Sequence, residues 1–298
     1  MTSAVLVLVA GSEVRTLEPA WIRRALELCG GKPHWLAPGE AVEFAVPPGR
    51  EAALREELAA AFADAPLDWA LLSGVRRRKR VLVCDMDSTV IDVECIDELA
   101  DYAGVRDRIA AVTQKAMAGE IDFEASLRLR VGLLEGVRLR DIDEICRERI
   151  HLVPGARTMV RTMQAHGAFC ALVSGGFTEF SRYVRLLAGF DMDVANRLEV
   201  VDGRLTGVVL PPLHGPETKL ETLLRLSHKF AAGPAEAVAV GDGANDLAMI
   251  RAAGLGVAFR PHAILRRAAD AVIDHADLRA VLYFQGYRRE EFVEDDAP

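Results

Sequence analysis

Short apolar runs separated by amphipathic stretches recur along the whole chain of 298 residues. From residue 81 onward the runs are continuously apolar instead of alternating, as in "RVLVC", "FCALV", "EAVAV" and "LGVAF". This pattern is typical of strands that are buried on both faces, as in a parallel sheet with helices on each side. Residues 81–298 are therefore predicted to form an α/β domain.

Residues 1–72 show a different order of elements. The run "AVLVLVA" predicts a strand, and "EPAWIRRALELCGG" has helical spacing and ends in a glycine pair, a common helix stop. Two strand-like pieces, a second helix and a last strand follow. The resulting β-α-β-β-α-β order suits a ferredoxin-like sandwich. It also resembles the ACT-type regulatory modules that are attached to amino-acid enzymes.

Two further segments complete the predicted organisation. Residues 73–80, "SGVRRRKR", are interpreted as a solvated basic linker, with a nucleic-acid or nuclear-import patch as the alternative. The mostly helical stretch after the first apolar run is too long for a simple crossover helix. It is interpreted as a helical cap inserted into the α/β domain at about residues 93–152.

Composition narrows the class of protein. Apolar residues make up 51% of the chain, enough for a sizeable core, and the net charge of -8 argues against nucleic acid as a partner. No apolar run approaches the roughly 20 residues that a membrane helix needs. The five scattered cysteines have no C-x-x-C spacing, which favours a reducing compartment over a disulfide framework. We therefore expect a cytoplasmic protein without a membrane partner, and a homodimer is one candidate assembly.

Polar residues follow three of the predicted strands, at the point where each strand ends. They are Asp85 and Asp87 after the first strand, Ser174 and Gly175 after the second, and Asp242, Asn245 and Asp246 after the third. The carboxyl ends of parallel strands meet at one edge of a sheet, where ligands bind. Several carboxylates in one crevice repel each other, and a hard divalent cation with oxygen ligands removes this repulsion. Mg²⁺ suits such a site when a phosphate supplies further ligands.

The motifs at these strand ends form a set. "DMDST", "SGG", Lys219 and "GDGAND" occur in the order of the four motifs of the haloacid dehalogenase (HAD) superfamily of phosphatases, which the chain resembles. "DSTVIDVECIDELA" and "VSGGF" are similar to the phosphoserine phosphatase family within it. The resemblance implies a Rossmann-like parallel sheet with an inserted helical cap. It also implies a small-molecule substrate, O-phospho-L-serine, hydrolysed to L-serine and phosphate in the last step of serine biosynthesis.

The resemblance implies a role for each motif residue. Asp85 would be the nucleophile that forms an aspartyl-phosphate, and Asp87 would be the general acid and base. The carboxylates of Asp85 and Asp242 and the backbone carbonyl of Asp87 would bind Mg²⁺. Asp246 would hold this cluster in place without touching the metal. The residues expected to contact the phosphate are Ser174, Gly175, Lys219 and Asn245.

The predicted cap helix "DFEASLRLRVGLLEG" carries an arginine on its apolar side. At about 100° per residue, Arg130 falls on one stripe with Phe123 and Leu127. A guanidinium there needs an anionic partner or access to water, so a structural ion pair and snorkelling to the rim are alternatives to substrate binding. The resemblance assigns Arg130 to the carboxylate of the substrate.

Glu94 is the matching anion, at the start of the first predicted cap helix. Acids are common at helix N-termini because they interact favourably with the helix dipole, which is the alternative explanation. The resemblance assigns Glu94 to the ammonium group of the substrate. Phe123 and Met117 would form an apolar wall that keeps water from the phosphate when the cap closes. Ordinary packing inside the cap is the alternative for both.

Two other functions remain open from the sequence. The same fold could pass the phosphoryl group from Asp85 to another small alcohol such as homoserine. The second alternative is a regulatory amino-acid-binding protein with an inactive HAD domain. The complete acid cluster argues against the second, because an inactive site has no need to keep four carboxylates at repulsive range.

Overall fold

The N-terminal part of the chain folds in the predicted order of elements. They are β1 (Ala4–Ala10), α1 (Pro19–Cys29), β2 (Pro33–Ala37), β3 (Ala41–Val46), α2 (Glu51–Ala61) and β4 (Leu67–Ser73). The computed structural model describes residues 4–294, apart from the side chain of Met117. Because side chains alternate along a strand, β1 directs Leu6 and Leu8 into a core with α1 and α2, and Val7 and Val9 into the larger core. Both faces of β1 are therefore buried.

The second part of the chain is built on parallel strands. They are β5 (Val81–Cys84), β6 (Phe169–Phe177), β7 (Met192–Val201), β9 (Ala237–Gly241), β10 (Leu255–Phe259) and β11 (Ala271–Ile273). Between β7 and β9, β8 (Arg204–Leu210) returns antiparallel to β7. Every residue of β5, β9 and β10 is buried. The α/β fold with a parallel sheet, predicted from continuously apolar runs, is confirmed.

Four helices occupy the segment that was predicted to form a cap. They are α3 (Cys95–Tyr102), α4 (Arg106–Met117), α5 (Phe123–Gly132) and α6 (Leu139–Arg149). The two chain passages between these helices and the sheet lie side by side, since the N–H of Val153 donates to the carbonyl of Val90 at 2.9 Å. The helices therefore leave and rejoin the sheet at one place.

Helices cover both faces of the parallel strands. On one face lie α7 (Ala156–Ala165), α8 (Thr178–Ala188) and α12 (Ala280–Phe284), and on the other lie α9 (Pro216–Phe230), α10 (Leu247–Ala252) and α11 (Ala263–Arg266). The carboxyl ends of β5, β6 and β9 remain uncovered by these helices and face the cap. Among residues 4–294, no helix is long and apolar enough to cross a membrane.

The two parts of the chain share one sheet. Its strand order is β2-β3-β1-β4-β11-β10-β9-β5-β6-β7-β8, and Ala70 on β4 pairs with Ala271 on β11. The basic segment between the two parts was expected to be solvated, which is wrong for two of its residues. Arg77 forms a salt bridge of 2.6 Å with Glu43, and the Nζ of Lys79 donates to a backbone carbonyl at 2.9 Å. These partners let both cations pack against the protein instead of extending into water. The domain boundaries at residues 72 and 81 stay predictions.

A close backbone contact at Gly254 gives a test of the packing between the residue before β10 and the turn before β9. A Cβ atom at this position would lie 1.9 Å from the carbonyl oxygen of Ala235, so a side chain does not fit without a backbone shift. We expect Gly254→Ala to lower the free energy of unfolding by about 1–3 kcal/mol, measured by denaturant titration. Gly132→Ala is the control, because the nearest atom to a Cβ there is 4.0 Å away. Equal stability of the two variants would contradict the packing.

Candidate active site

The predicted strand-end residues meet around one cavity. Its volume is about 570 Å³, and it lies between the carboxyl ends of β5, β6 and β9 and the cap. Nine of the eleven predicted site residues line it: Asp85, Asp87, Glu94, Phe123, Arg130, Ser174, Gly175, Asp242 and Asn245. The other two, Lys219 and Asp246, are buried next to Asp85. The three strand ends thus bring residues that are far apart in the sequence into one site.

A buried lysine contacts two of the carboxylates. Lys219 is only 2% exposed, and its Nζ lies 2.7 Å from Asp85 Oδ1 and 2.6 Å from Asp246 Oδ1. Burial by itself lowers the pKa of Lys219, but the charges of Asp85 and Asp246 outweigh burial and raise it. The lysine is therefore held in its charged form. Pro216 begins α9, and Lys219 lies in the first turn of this helix.

The second oxygen of Asp246 organises the loop after β9. Asp246 Oδ2 accepts hydrogen bonds from the N–H of Asp242 at 3.2 Å and of Gly243 at 3.1 Å. Both oxygens of Asp246 therefore have partners inside the protein. Asp242 is less engaged, and its Oδ1 has only a long contact of 3.4 Å with the hydroxyl of Thr89.

The acidic residues of the site form a group that could hold a metal ion. One carboxylate oxygen each from Asp85, Asp242 and Asp246 lies within 4.8 Å of the other two. Burial, and next the nearby charge of Asp85, raise the pKa of Asp242 although Lys219 acts in the opposite direction, so a further cation would stabilise its ionised form. An all-oxygen donor set with uncompensated negative charge fits a hard divalent cation. Because the oxygens of Asp246 are already engaged, Asp85 and Asp242 are the better placed ligands.

Asp87 has a different environment from Asp85. Its Oδ1 accepts the N–H of Cys95 at 2.9 Å, the first residue of α3, and its Oδ2 accepts the hydroxyl of Ser174 at 3.2 Å. Burial raises the pKa of Asp87 to about 6, although these hydrogen bonds act in the opposite direction. A carboxyl group with this pKa can both give and take a proton near neutral pH.

The loop after Ser174 is held by an amide that the sequence analysis missed. Asn196 on β7 is fully buried, and its Nδ2 donates to the carbonyls of Gly175 and His214, both at 2.9 Å. Its Oδ1 accepts the N–H of His214 at 2.7 Å. Asn196 therefore joins the end of β6 to the loop before α9. An asparagine inside a predicted strand was the available signal, because a buried amide needs such partners.

Glu94 faces the cavity and does not cap its helix. No hydrogen bond connects its side chain to the N-terminus of α3, and its Oε1 instead accepts the hydroxyl of Ser88 at 2.8 Å. Burial, and next the charge of Asp87, raise the pKa of Glu94 to about 7. The helix N-terminus alone thus does not explain this acid. Ser88 was not predicted, and it has a left-handed backbone with a φ of 55°.

Arg130 lines the cavity without an ion pair. In the described part of the chain, no carboxylate lies within salt-bridge distance of it, and its Nε has only a long contact of 3.4 Å with the carbonyl of Ser126. Burial lowers the pKa of Arg130, while the more distant charges of Asp97 and Glu94 raise it. The structural ion pair considered for this residue is therefore not present.

Phe123 closes one side of the cavity. A Cβ atom on Gly215 would lie 3.2 Å from its ring, so the ring packs directly on the backbone before α9. Asp122 fixes the start of α5 by accepting the N–H of Ala125 at 2.7 Å. The side chain of Met117, expected on the same wall, lies outside the described part of the chain.

His262 is another lining residue that the sequence analysis missed. Its N–H donates to the carbonyl of Asp242 at 3.0 Å, and its side chain borders the cavity. It follows β10, the fifth parallel strand in chain order. Extending the strand-end argument to the run "LGVAF" would have found it, because β10 ends at the same edge of the sheet.

Comparison with known proteins agrees with this geometry. A family model described as haloacid dehalogenase-like hydrolase matches residues 82–251, which is more than half of the chain. The chain belongs to this family of hydrolases. The resemblance inferred from the motifs is thereby confirmed, and so is the predicted HAD-type fold.

Among the HAD relatives, several are named phosphoserine phosphatase. The protein of that name from Streptomyces coelicolor is 43% identical over 256 residues, which are 85% of this chain and 62% of that protein. The one from Idiomarina loihiensis is 43% identical over 202 residues, 68% of this chain and 91% of that protein. The chain spans between 62% and 66% of the length of the first four curated relatives that it matches.

A solved HAD structure extends the similarity to the N-terminal part. A protein of Vibrio cholerae, described as a probable phosphoserine phosphatase in unliganded form, superposes with a TM-score of 0.78 at 33% identity. The match covers 97% of this chain and 88% of that one. The two-part architecture is thus similar to a known one.

The buried lysine gives a test of the charge balance in the site. Lys219→Met would leave Asp85 and Asp246 buried without their cation, so we expect the free energy of unfolding to fall by about 3–5 kcal/mol. Lys229→Met on the same helix is the control, because Lys229 is exposed. Denaturant titration of both variants without added metal measures the difference. If Lys219→Met were as stable as the control, the carboxylates would not depend on the lysine.

Proposed function

We propose that this protein is a Mg²⁺-dependent phosphoserine phosphatase that converts O-phospho-L-serine to L-serine and inorganic phosphate. The observation that carries the proposal is that an acidic pair and two charged side chains of the cap line the same cavity. The acidic pair Asp85 and Asp87 lies on the sheet side of the cavity. The cap contributes Arg130 and Glu94, which form no ion pair with any described residue. The names of the HAD relatives support the same substrate.

Asp85 is arranged to act as the nucleophile. Its Oδ1 accepts the N–H of Met86 at 2.8 Å and contacts Lys219, which leaves Oδ2 for attack on phosphorus. In this step the bond from Asp85 to phosphorus forms and the bond from phosphorus to the serine oxygen breaks. Asp87 gives its proton to the leaving serine oxygen.

Hydrolysis of the aspartyl-phosphate uses the same two residues. Asp87, now ionised, takes a proton from a water molecule whose oxygen attacks phosphorus. The bond between Asp85 and phosphorus breaks, and inorganic phosphate is released while Asp85 regains its carboxylate. The hydrogen bonds from Cys95 and Ser174 keep Asp87 oriented during both steps.

The negative charge of the phosphate needs compensation. The carboxylates of Asp85 and Asp242 and the backbone carbonyl of Asp87 would hold Mg²⁺, and Asp246 would keep Lys219 and the loop after β9 in position. When bound, Mg²⁺ supplies positive charge next to the phosphate oxygens. The protein groups proposed to bind the phosphate are Ser174, Gly175, Lys219 and Asn245.

The cap supplies selectivity for an amino acid. Arg130 binds the carboxylate of the substrate and Glu94 binds its ammonium group, so each charge meets an opposite one away from bulk water. Phe123 packs on Gly215 and restricts the access of water to the phosphate. A role in serine biosynthesis and a cytoplasmic location follow from this proposal as predictions, and a homodimer stays a prediction.

A phosphate-release screen over small phosphomonoesters, with Mg²⁺ and with EDTA, tests the function. We expect phosphoserine to be the best substrate, EDTA to abolish turnover, and Asp85→Asn to remove turnover because the nucleophile is lost. Asp92→Asn is the control, since Asp92 is exposed just beyond the catalytic loop. Steady hydrolysis by Asp85→Asn would contradict the assignment of the nucleophile. Phosphorylated homoserine in place of free phosphate would instead favour the phosphotransferase alternative.

Arg130 gives a separate test of selectivity. Arg130→Ala should lower kcat/KM for phosphoserine by about 10- to 100-fold, because a charged hydrogen-bond partner of the substrate is lost. The loss on p-nitrophenyl phosphate, which has no carboxylate, should be much smaller. Arg128→Ala on the same helix is the control, since Arg128 is exposed and pairs with Glu124 at 2.8 Å. Equal losses on both substrates would exclude the proposed role.

A further inference from the structure

One buried carboxylate ties the N-terminal part to the rest of the chain. Asp68 on β4 is 4% exposed, and its oxygens accept the backbone N–H groups of Asp274 at 2.9 Å, His275 at 3.2 Å and Ala276 at 2.7 Å. Hydrogen bonds to an ionised acceptor are stronger than those between neutral groups. Asp68 therefore fixes the backbone of residues 274–276.

The residues that follow the segment held by Asp68 contact the chain where it returns from the cap. Here we call residues 152–155, where the chain returns from the cap, the return linker. The N–H of Leu278 donates to the carbonyl of Pro154 at 3.2 Å. Gly155 lies so close that a Cβ there would be 2.7 Å from the backbone nitrogen of Arg279. A displacement of residues 274–279 thus cannot leave the return linker in place.

The return linker in turn contacts the catalytic loop. The N–H of Val153 donates to the carbonyl of Val90 at 2.9 Å, and the N–H of Val90 donates to the carbonyl of Met86 at 2.8 Å. Met86 lies between Asp85 and Asp87. Backbone hydrogen bonds and close packing therefore run from β4 through the return linker to the loop that carries the acidic pair.

We propose that Asp68 is a positioning residue that sets the orientation of the cap from the N-terminal part. This inference rests on the proposed function, because Arg130 and Glu94 act on the substrate only when the cap presents them at the right distance. The N-terminal part then contributes to turnover through the return linker, without touching the substrate.

The competing explanation is that Asp68 only docks the two parts of the chain onto each other. A second carboxylate, Glu43, distinguishes the two explanations. Glu43 on β3 also crosses between the parts, since it pairs with Arg77 at 2.6 Å, and Arg77 donates to the carbonyls of Tyr283 and Phe284. This ion pair does not involve residues 274–279. Loss of Glu43 weakens the docking but leaves the connection to the return linker intact.

Asp68→Asn and Glu43→Gln are the matched variants, since each replaces a carboxylate by an amide of the same size. In Asp68→Asn, one of the two accepting oxygens becomes an NH2 group, whose donors would face a backbone N–H group of residues 274–276 instead of accepting from it. We expect Asp68→Asn to lower kcat/KM for phosphoserine about tenfold, with a smaller loss on p-nitrophenyl phosphate. Glu43→Gln should stay within about twofold of the wild type on both substrates.

Hydrogen exchange provides a readout that needs no turnover. Amides of residues 152–156 and 274–279 should exchange faster in Asp68→Asn than in the wild type and in Glu43→Gln. Unchanged exchange in the return linker would overturn the inference, and so would equal losses by Asp68→Asn on the two substrates. A wild type without phosphoserine phosphatase activity would refute the proposed function while the exchange result still decides the role of Asp68. If Asp68→Asn does not fold, Asp68→Glu replaces it, because it keeps the charge but moves the carboxylate by one methylene away from the N–H groups of residues 274–276, and the same pattern is expected.

Discussion

The site depends on the balance of charge around one buried ammonium group. Burying Asp85 and Asp246 is costly unless each carboxylate has a partner, and Lys219 serves both. Its position in the first turn of α9 places the cation under the carboxyl ends of β5 and β9. With Lys219 in place, Asp246 can use its other oxygen to hold the loop of Asp242, which leaves Asp85 and Asp242 available for an external charge.

In the cap, two charged side chains face the cavity without an opposite charge close to either of them. Arg130 is half-buried and has no carboxylate within salt-bridge distance in the described part of the chain, and Glu94 is held only by a serine hydroxyl. Partly desolvated opposite charges that do not satisfy each other favour a ligand that carries both signs. The proposed substrate, O-phospho-L-serine, carries both signs next to its phosphate.

The N-terminal part is an integral extension of the catalytic sheet. Its strands continue the sheet through the pair of Ala70 and Ala271, and β1 is buried on both faces. Asp68 adds strong hydrogen bonds at the same junction. Two parts that share a sheet edge and a buried carboxylate move together more readily than two parts joined only by a linker, which couples the N-terminal fold to the base of the cap.

The order of strands and helices and the strand-end residues such as Asp85 and Asp242 were readable from the amino-acid sequence. Local burial leaves a direct pattern there, and polar residues after an apolar run mark the end of a strand. The hydrogen-bond partners of Asn196 and the burial of Lys79 were decided only by the tertiary structure. Their partners are contributed by distant segments, and a hydrogen bond between such segments has no periodicity along the chain. Which buried polar group finds a partner is determined when the sheet and helices pack.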